Sequence, residues 1–435
     1  MTNETEHSAV QRRNPLALPG NKEPSSSTSI APERWLLRKV HEAVGEPPLR
    51  LRLWDGCTVG PESSDMMIEL RDRGALYRLL RHPNLAFGDL HSSGRLRIHG
   101  ELTRVIHVLI DSMNAQAHGT SPAWTGWFKR GRKLRVRKGA NLTAARGNIH
   151  HHYDLGNDFY RLWLDRAAMQ YTCAYFESPD YTLEQAQLAK LEHVCRKLRL
   201  QPGQTVIDAG CGWGGLARYM AKQYGVRVRA FNISHEQVAY AREAAREEGL
   251  EDRVEFIEED FRNISGSCDR FVSVGMLEHV GPANYKALAG VVSRCLHADG
   301  LGLIHTIGRN RPAPLDAWIE KRIFPGGYVP SAGELMRLFE YTPFSVLDVE
   351  NLRLHYAQTL DHWLERFRAH REEVARDYDE PFVRAWELYL AGSSATFRSG
   401  GLQLFQVVFA HPRNNQVPRV RKDLYHAPAA PSETP

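Results

Sequence analysis

A glycine-rich stretch at residues 206–215 has the residue types of a ligand-binding loop. It reads VIDAGCGWGG, a short apolar strand that ends at Asp208 and is followed by closely spaced glycines. Glycine lets the backbone approach a ligand closely, and a helix that begins after such a turn presents free N–H groups. The spacing of Gly210, Gly212 and Gly215 also matches GxGxxG, a dinucleotide pattern that is weak evidence without its context.

The context of this loop is more specific than its glycine spacing. The run D-x-G-C-G-x-G, from Asp208 to Gly214, resembles motif I of class I S-adenosylmethionine (SAM) methyltransferases, in which the loop faces the amino-acid end of the cofactor. We therefore expect SAM rather than a nicotinamide nucleotide. In such folds Asn232 would reach the ribose hydroxyls, with an amide where most of these enzymes place a carboxylate. Asp260 would accept from the adenine amino group and Phe261 would cover the base, although Asp260 alone would also suit a helix N-cap.

Five further strings narrow the family. They are HYDLGNDFY at 152–160, YTCAYF at 171–176, EHVG at 278–281, IFPGGY at 323–328 and HYAQTL at 355–360. Together with the loop they closely resemble the cyclopropane-fatty-acyl-phospholipid synthases and the related mycolic acid cyclopropane synthases, over about residues 148–410. Residues 85–102 resemble, more weakly, the N-terminal lipid-handling domain of the phospholipid synthases.

The resemblance implies methyl transfer from SAM to the cis double bond of an acyl chain in a phospholipid. An alkene is a poor nucleophile, so the sulfonium must be held close to it and in line, away from water. The product of transfer would be a carbocation. Loss of a proton from the new methyl group closes the cyclopropane ring, so a base is required. In the family that base is a bound bicarbonate ion.

The same resemblance implies which residues hold the bicarbonate. They are the backbone N–H groups of Cys173 and Ile307 and the side chains of Glu278, His305 and Tyr356. Glu278 would accept the ion's proton in a hydrogen bond, because two anions side by side are otherwise unfavourable. Taken singly, Glu278 could cap a helix and His305 could be a satisfied core residue. The Cys173 thiol is not expected to be a nucleophile, since the reaction has no covalent enzyme intermediate.

The resemblance also completes the expected cofactor site. Its further members are the loop residues Gly210, Cys211, Gly212, Trp213 and Gly214, together with Tyr171, Thr172, Ile233 and Gln237. Trp213 is expected to pack at the pocket rather than to act in catalysis. Ser393 is a departure, since many family members carry a cysteine near this position. A mechanism without a protein nucleophile tolerates that change.

Two other functions remain as alternatives. A related lipid C-methyltransferase would yield a methyl branch or a methylene group instead of a ring. A lipid-binding or transfer protein with a decayed catalytic domain is a different class. The intact set of Asp208, Gly210, Glu278, His305 and Tyr356 argues against that class.

These residues must be positioned by strands and helices that alternate from Leu198 onward. Apolar strand-like runs occur at 205–208, 227–232, 254–258, 270–274 and 301–306, and helical periodicity occurs at 235–248 and 284–296. Such alternation predicts a parallel sheet with helices on both faces. The predicted fold class is α/β, a doubly wound, mainly parallel sheet of the class I SAM-methyltransferase type, preceded by a small α+β N-terminal domain.

Length and composition set the domain organisation. The chain has 435 residues, 42% hydrophobic and 25% charged, which suggests two or three domains and argues against a coiled coil or a wholly disordered chain. The predicted divisions are a disordered tail (1–33), the small α+β lipid-handling domain (34–113), a basic linker (114–147), the SAM-dependent catalytic domain (148–411) and a second disordered tail (412–435). No apolar run approaches the roughly 18–20 residues that span a bilayer.

The basic linker suggests a partner. No acidic residue occurs from Ser112 to Tyr153, and seven Lys and Arg residues within 129–138 follow Trp124 and Trp127. Tryptophan beside clustered cations suits an anionic membrane surface, where each cation gains roughly 1 kcal/mol. A solvated linker fits the charge equally well. Nucleic acid is not expected, because no recognisable binding module accompanies the cations.

Cysteine usage and the chain start indicate a compartment. The six cysteines are scattered without a CxxC pair, and the first residues lack the apolar core of a signal peptide. We therefore expect a cytoplasmic enzyme, peripheral at the inner face of the membrane. No metal is expected, because three adjacent residues such as His150–His152 cannot all face one ion on a regular element. The oligomeric state is open, with a homodimer as one alternative.

Overall fold

The computed structural model describes residues 15–16, 28–117, 155–417 and 419–425, which form two compact units. The first unit comprises the described residues of Met1–Arg135, Pro314–Pro325 and Leu360–Ser399. The second comprises those of Val136–Ala313, Gly326–Thr359 and Gly400–Pro435. The predicted membrane-binding cations at 129–138 and the His150–His152 run lie outside the described residues.

Helices and strands alternate in short runs at the start of the chain. In order they are α1 (Ala31–Ala43), β1 (Arg50–Arg52), β2 (Thr58–Val59), β3 (Met67–Leu70), α2 (Arg73–Arg81), α3 (Pro83–Ser92), β4 (Leu96–His99) and α4 (Leu102–Ala117). The four strands form one sheet in the order β2-β1-β3-β4, in which β1 and β3 are parallel and the outer pairs are antiparallel. This is the predicted small α+β arrangement.

The larger part of the chain alternates strands with helices. In order they are α5 (Asn157–Arg161), α6 (Leu183–Leu198), β5 (Thr205–Ala209), α7 (Gly215–Tyr224), β6 (Arg227–Asn232), α8 (His235–Glu247), β7 (Val254–Glu258), β8 (Cys268–Val274), α9 (Leu277–Val280), α10 (Tyr285–Cys295), β9 (Leu296–Gly308), α11 (Ala317–Arg322), α12 (Ala332–Glu340), β10 (Ser345–Asn351), α13 (Arg353–Ala369), α14 (Arg371–Asp377), α15 (Glu380–Arg398), β11 (Gln403–Ala410) and α16 (Lys422–Tyr425). The five strands predicted after Leu198 are all present.

The second unit is built on a seven-stranded sheet in the order β10-β11-β9-β8-β5-β6-β7. The five strands from β9 to β7 are parallel, and β11 pairs antiparallel with both β9 and β10. Apolar side chains pack on both faces, in two clusters represented by Val206 and Leu303 on one and by Ile207 and Ile304 on the other. The prediction of an α/β fold with a mainly parallel, doubly wound sheet is confirmed.

Two segments from late in the chain belong to the first unit. Gly88 on α3 lies against the Trp318 ring of α11, where a Cβ would come within 2.4 Å of the ring. Next to it, the buried Asp89 carboxylate accepts from Arg322 at 3.0 Å and from Arg78 at 2.9 Å. These contacts explain why Pro314–Pro325 groups with the N-terminal elements, whereas the predicted divisions place it in the catalytic domain. The domain divisions themselves remain a prediction.

Several element ends differ from the sequence-based expectation. Helix α1 begins at Ala31, inside the predicted tail 1–33, because Glu33 is buried and pairs with Arg73. Helix α16 lies inside the predicted tail 412–435. Strand β9 extends from Leu296 to Gly308, beyond the predicted 301–306. None of the described helices is both long and apolar enough to cross a bilayer.

Candidate active site

The strand order indicates where the sheet would bind a ligand. The order in which the chain adds strands reverses between β5 and β8: β6 and β7 lie on one side of β5, whereas β8 and β9 lie on the other. In open parallel sheets, ligands bind beyond the carboxyl ends of the strands at such a switch point. Gly210 follows β5 and Glu278 follows β8, so the glycine-rich loop and the predicted acid–base residues meet at this edge.

The glycines of the loop are required for different reasons. Gly210, Gly212 and Gly214 all have positive φ, at 92°, 55° and 77°, which favours glycine. A Cβ on Gly210 would lie 2.8 Å from the Met276 Cβ, and one on Gly214 would lie 2.5 Å from the Phe256 ring. A Cβ on Gly212 would meet no protein atom within 4 Å. Gly212 therefore faces open space, as a ligand-facing position should.

Asn232 follows β6 and sits beside the loop. Its amide nitrogen donates to Gln237 Oε1 at 2.8 Å and to the Gly212 carbonyl at 3.3 Å, while its oxygen accepts the Ile233 N–H at 2.8 Å. These bonds fix the position of the amide and link Gln237 to the loop. The amide's role toward ribose stays a prediction.

Asp260 is buried and occupies the end of β7 beside the same cleft. Its Oδ1 accepts from the Arg262 N–H at 2.9 Å and from Arg262 Nε at 2.7 Å. Asp260 therefore caps a short 3₁₀ turn, Phe261–Asn263, in line with the N-cap alternative. The Arg262 guanidinium lies 5.2 Å from the centre of the Phe261 ring. Asp260 Oδ2 also accepts from Arg262 Nη2 at 3.1 Å, so both carboxylate oxygens bond Arg262. The adenine-binding role of Asp260 remains a prediction.

Gly210, Asn232 and Asp260 line one cleft, which has an empty volume of about 500 Å³. Five of the expected cofactor residues line it, namely Gly210, Asn232, Ile233, Asp260 and Phe261. Sequence reasoning missed the other lining residues, which are Phe231, Glu259, Arg262, Met276, His279, Val280 and Asn284. Its lining joins the glycine loop to the ends of β6 and β7, the positions expected for SAM.

Tyr171 and Trp213 belong to an aromatic cluster beside the loop. The Trp213 indole donates to Asn157 Oδ1 at 2.8 Å, and its ring centre lies 5.0 Å from that of Tyr160. The Tyr160 and Tyr171 centres are 5.4 Å apart. Trp213 is only 3% exposed, which agrees with a packing role.

A buried lysine that sequence reasoning missed lies behind Thr172. Lys190 Nζ donates to Gln170 Oε1, and to Thr172 Oγ1 at 3.1 Å. Burial lowers the pKa of Lys190 to about 8, an effect that Asp165 opposes. Burial also raises the pKa of Asp208 to about 7, against the nearby Lys190 charge. The Asp208 Oδ2 atom is buried with no hydrogen-bond partner among the described residues, as a carboxylate awaiting a ligand donor would be.

Glu278 and Ile307 contact each other directly. The Ile307 N–H donates to Glu278 Oε1 at 2.7 Å, whereas we expected that N–H to serve a bound ion. This bond was not expected, and it orients the carboxylate. The role of the Ile307 N–H toward a bound ion remains a prediction. The other oxygen, Oε2, is buried without a hydrogen-bond partner in the described part of the chain. Burial raises the pKa of Glu278 to about 7.

His305 lies two residues before Ile307 on β9 and is 2% exposed. Its Nδ1 lies 3.0 Å from Gln406 Nε2 on the neighbouring strand β11. Its Nε2 is buried without a hydrogen-bond partner in the regions that the structure describes. Burial, reinforced by the Lys190 and Lys197 charges, lowers the pKa of His305 well below 6.5, so the ring is neutral.

Two of the predicted strings, YTCAYF at 171–176 and HYAQTL at 355–360, lie against each other. The Ala174 N–H donates to Thr359 Oγ1 at 3.0 Å, and the Phe176 N–H donates to His355 Nδ1 at 3.0 Å. This pairing brings Cys173 to the start of α13, where Tyr356 is buried in the first turn.

The thiol of Cys173 is suited to packing. The side chain is fully buried, and its Sγ lies 3.1 Å from the Ala174 carbonyl. Burial raises the pKa of this thiol well above its ordinary value, which disfavours the nucleophilic thiolate. Thr172 lies close to the turn between β8 and α9, the helix that carries Glu278, since a Cβ on Gly275 would lie 3.0 Å from Thr172 Cγ2.

The sheet order, the glycine loop and the cleft at the switch point are those of a class I SAM-dependent methyltransferase. The chain belongs to the mycolic acid cyclopropane synthetase family, whose sequence profile matches residues 140–407. Membership confirms the predicted family and the predicted kind of enzyme.

Similar proteins come from several bacteria. A protein named probable fatty acid methyltransferase from Pseudomonas putida is 36% identical over 393 residues, which are 87% of this chain and 96% of that protein. The cyclopropane-fatty-acyl-phospholipid synthase of Escherichia coli is 46% identical over 265 residues, which are 61% of this chain and 68% of that protein. The structure of the cyclopropane synthase MmaA2 from Mycobacterium tuberculosis matches with a TM-score of 0.59 and 33% identity, over 62% of this chain and all of that one.

Proposed function

We propose that this chain transfers a methyl group from SAM to the cis double bond of an unsaturated phospholipid acyl chain and closes a cyclopropane ring. The family and the 46% identity to a cyclopropane-fatty-acyl-phospholipid synthase support the substrate class. The cleft that begins at Gly210 and ends near Met276 would hold SAM, with Gly212 facing its amino-acid end. The phospholipid is the part of the proposal that rests on similarity alone.

The proton-accepting part of the site rests on one observation. Two polar atoms, Glu278 Oε2 and His305 Nε2, are buried without hydrogen-bond partners among the residues that the structure describes. Leaving such an atom unpaired costs about 1–3 kcal/mol, so a hydrogen-bonding ligand is favoured at each atom. Bicarbonate fits, because it offers a hydroxyl to a carboxylate and oxygens to a donor. Bound there, it would supply the base that ring closure requires.

The residues around that position have distinct tasks in the proposal. Glu278, oriented by the Ile307 N–H, accepts a hydrogen bond at Oε2. His305 is neutral and offers an N–H without adding a positive charge near the carbocation. Tyr356 and the backbone of Cys173 are the remaining expected donors, on the two paired strings. The buried surroundings of these groups exclude water, which would otherwise capture the cation.

A lipid C-methyltransferase is the second candidate. The observation in its favour is the relative named probable fatty acid methyltransferase, which this chain matches over 96% of that protein's length. The two candidates share SAM, the alkene and the carbocation. They differ in the step that follows methyl transfer. Direct loss of a proton from the new methyl group closes the ring, whereas a hydride shift before that loss leaves a methylene group, and a saturated methyl branch would further require a hydride donor.

Lipid mass spectrometry of a host that expresses the protein tests the proposal. A gain of one CH2 per modified chain, with loss of the alkene, indicates a ring. A methylene or methyl-branched chain indicates the second candidate. In the purified system, removal of bicarbonate should lower activity and its return should restore it. Ring formation that is unaffected by rigorous bicarbonate removal would contradict the proposed base.

A further inference from the structure

Strand β11 carries a buried amide that the proposed reaction does not use. The strand reads QLFQVVFA, and all eight residues are buried, between β10 and β9 in the sheet. Gln406 is fully buried between Phe405 and Val407, where an apolar side chain would be expected. A buried amide costs free energy unless it is paired, so its presence in this strand requires an explanation.

The pairing register explains which residue the amide serves. Gln406 and His305 lie directly opposite each other on the antiparallel strands β11 and β9. Gln406 Nε2 lies 3.0 Å from His305 Nδ1, and both side chains are buried. The amide nitrogen of Gln406 faces Nδ1, which makes Nδ1 the acceptor and places the single proton of a neutral imidazole on Nε2. The amide oxygen, Gln406 Oε1, is buried without a hydrogen-bond partner among the described residues.

We propose that Gln406 is a positioning residue that fixes His305 in the Nε2–H tautomer, so that the ring donates a hydrogen bond to the bound anion. The inference rests on the proposed function, since the anion is the proposed bicarbonate. Without Gln406, a neutral His305 could place its proton on Nδ1. A lone pair on Nε2 would then face the anion and repel it.

The two sides of the ring support this assignment together. Nδ1 is occupied by Gln406, whereas Nε2 is buried without a partner in the described chain. The charged and titratable groups that act on His305 are Lys190, Lys197, His193 and Glu350. The two lysines disfavour an imidazolium, so the tautomer of the neutral ring decides whether His305 donates or accepts.

The substitution Gln406→Glu is the sharpest test. A carboxylate accepts, so it should draw the proton to Nδ1 and leave Nε2 as an acceptor. The bicarbonate concentration for half-maximal activity should rise tenfold or more. Gln406→Met removes the donor with little change in shape and should give a smaller increase of the same sign. It also keeps the inference testable if the Glu variant does not fold.

Gln403→Leu is the matched control on the same strand. Gln403 is also buried, but it pairs with Asn351 and with the Gly400 carbonyl. The Gln403→Leu substitution should lower the stability of the protein without changing the dependence of activity on bicarbonate.

Nitrogen-15 NMR of histidine side chains reports the tautomer of His305 directly. A purely structural role of Gln406 would leave that tautomer unchanged. With His305 assigned by its loss in His305→Asn, the wild type should show an Nε2–H tautomer, and Gln406→Glu should show Nδ1–H. A wild-type Nδ1–H tautomer, or an unchanged bicarbonate dependence in Gln406→Glu, would overturn the role of Gln406 while leaving the proposed reaction intact. A wild type that ignores bicarbonate would instead overturn the proposed ion and, with it, the donor role.

Discussion

Glu278 is the side chain on which the proposed chemistry depends most directly. Its Oε1 is held by the Ile307 N–H at 2.7 Å, and its Oε2 has no partner in the described residues. Glu278→Gln keeps the shape but lets an amide donate where the site needs an acceptor. Activity should fall by the roughly 10²–10⁴-fold typical of lost general-base assistance, with SAM binding unchanged. A Glu278→Gln protein that forms the ring at the wild-type rate would contradict the proposal.

The same carboxyl predicts a pH-dependent stability. Burial raises the pKa of Glu278 from 4.5 to about 7, so the folded chain binds this proton more tightly than the unfolded chain. The carboxyl therefore costs no stability below about pH 4.5 and costs more as the pH rises to about 7. Without bicarbonate, the Tm of Glu278→Gln relative to the wild type should increase between pH 4.5 and pH 8.

A second glutamate provides the control of opposite sign. The pKa of Glu334 is lowered: burial raises it, but hydrogen bonds from the Ser331 backbone and the Tyr328 hydroxyl outweigh that effect. Its stabilising effect is present above its unfolded pKa and is lost in acid. Glu334→Gln should therefore lose stability relative to the wild type as the pH rises. Equal pH trends in the two variants would contradict the raised pKa of Glu278.

Single residues also show where sequence reasoning stops. Glu278 and His305 were found because they lie in strings or strand ends that resemble the family. Lys190 had a weaker signal, since it falls on the buried face of α6 with Leu183, Gln187 and Val194. Gln406 had no signal that separates it from Gln403. Only the register of β11 against β9 shows which amide meets His305.

At the scale of elements, the loop between β5 and α7 gives a prediction about SAM. Gly212→Ala places a Cβ in open space at a φ of +55°, which costs about 1–2 kcal/mol of stability. The methyl group would project toward the ligand, so SAM affinity should fall strongly in calorimetry while the protein stays folded.

Gly249→Ala is the matched control for the loop. Gly249 has a φ of +65°, and a Cβ there would also meet nothing within 4 Å, but it follows α8 at the surface, away from the cleft. Both variants should lose similar stability, and only Gly212→Ala should lose SAM binding. Undiminished SAM affinity in folded Gly212→Ala would contradict the cofactor assignment.

Helix α6 holds two buried lysines that allow a similar comparison. Lys190 bonds Gln170 and Thr172 beside the loop, whereas Lys197 pairs with Glu350 at 2.5 Å. Lys190→Met should weaken SAM binding, because it removes the hydrogen bonds that hold Thr172, an expected cofactor residue, and Gln170 in place. Lys197→Met should lower the Tm and leave SAM affinity unchanged. Equal SAM affinities in the two variants would show that Lys190 is structural.

The elements themselves were predictable to different degrees. The strands 227–232 and 254–258 were predicted to the residue, since short apolar runs between amphipathic helices identify parallel strands. The antiparallel strands β10 and β11 were missed. In β10, half-exposed apolar residues such as Val346 and Val349 disturb the alternation of buried and exposed positions that identifies a strand. In β11 every residue is buried, and a short buried run fits a strand and a helix equally well.

At the scale of the whole molecule, the proposed phospholipid substrate requires access to a bilayer. None of the described helices is long and apolar enough to cross one. We therefore predict binding to anionic vesicles through the cations at 129–138, which lie outside the described residues. Vesicle sedimentation should show binding that weakens as salt approaches 1 M, where the screening length is about 3 Å.

Charge location, rather than total charge, should decide this binding. Replacing Arg132, Lys133, Arg135 and Arg137 with serine lowers the formal net charge from +5 to +1 and should abolish most vesicle binding. The control replaces four exposed cations of the second unit, Lys222, Arg227, Arg246 and Arg253, which lowers the net charge by the same amount. Exposed ion pairs such as Lys222–Glu248 contribute little to stability, so that control should fold. If both variants bind vesicles equally well, the basic segment is only a linker, and the enzyme must reach its lipid by another surface.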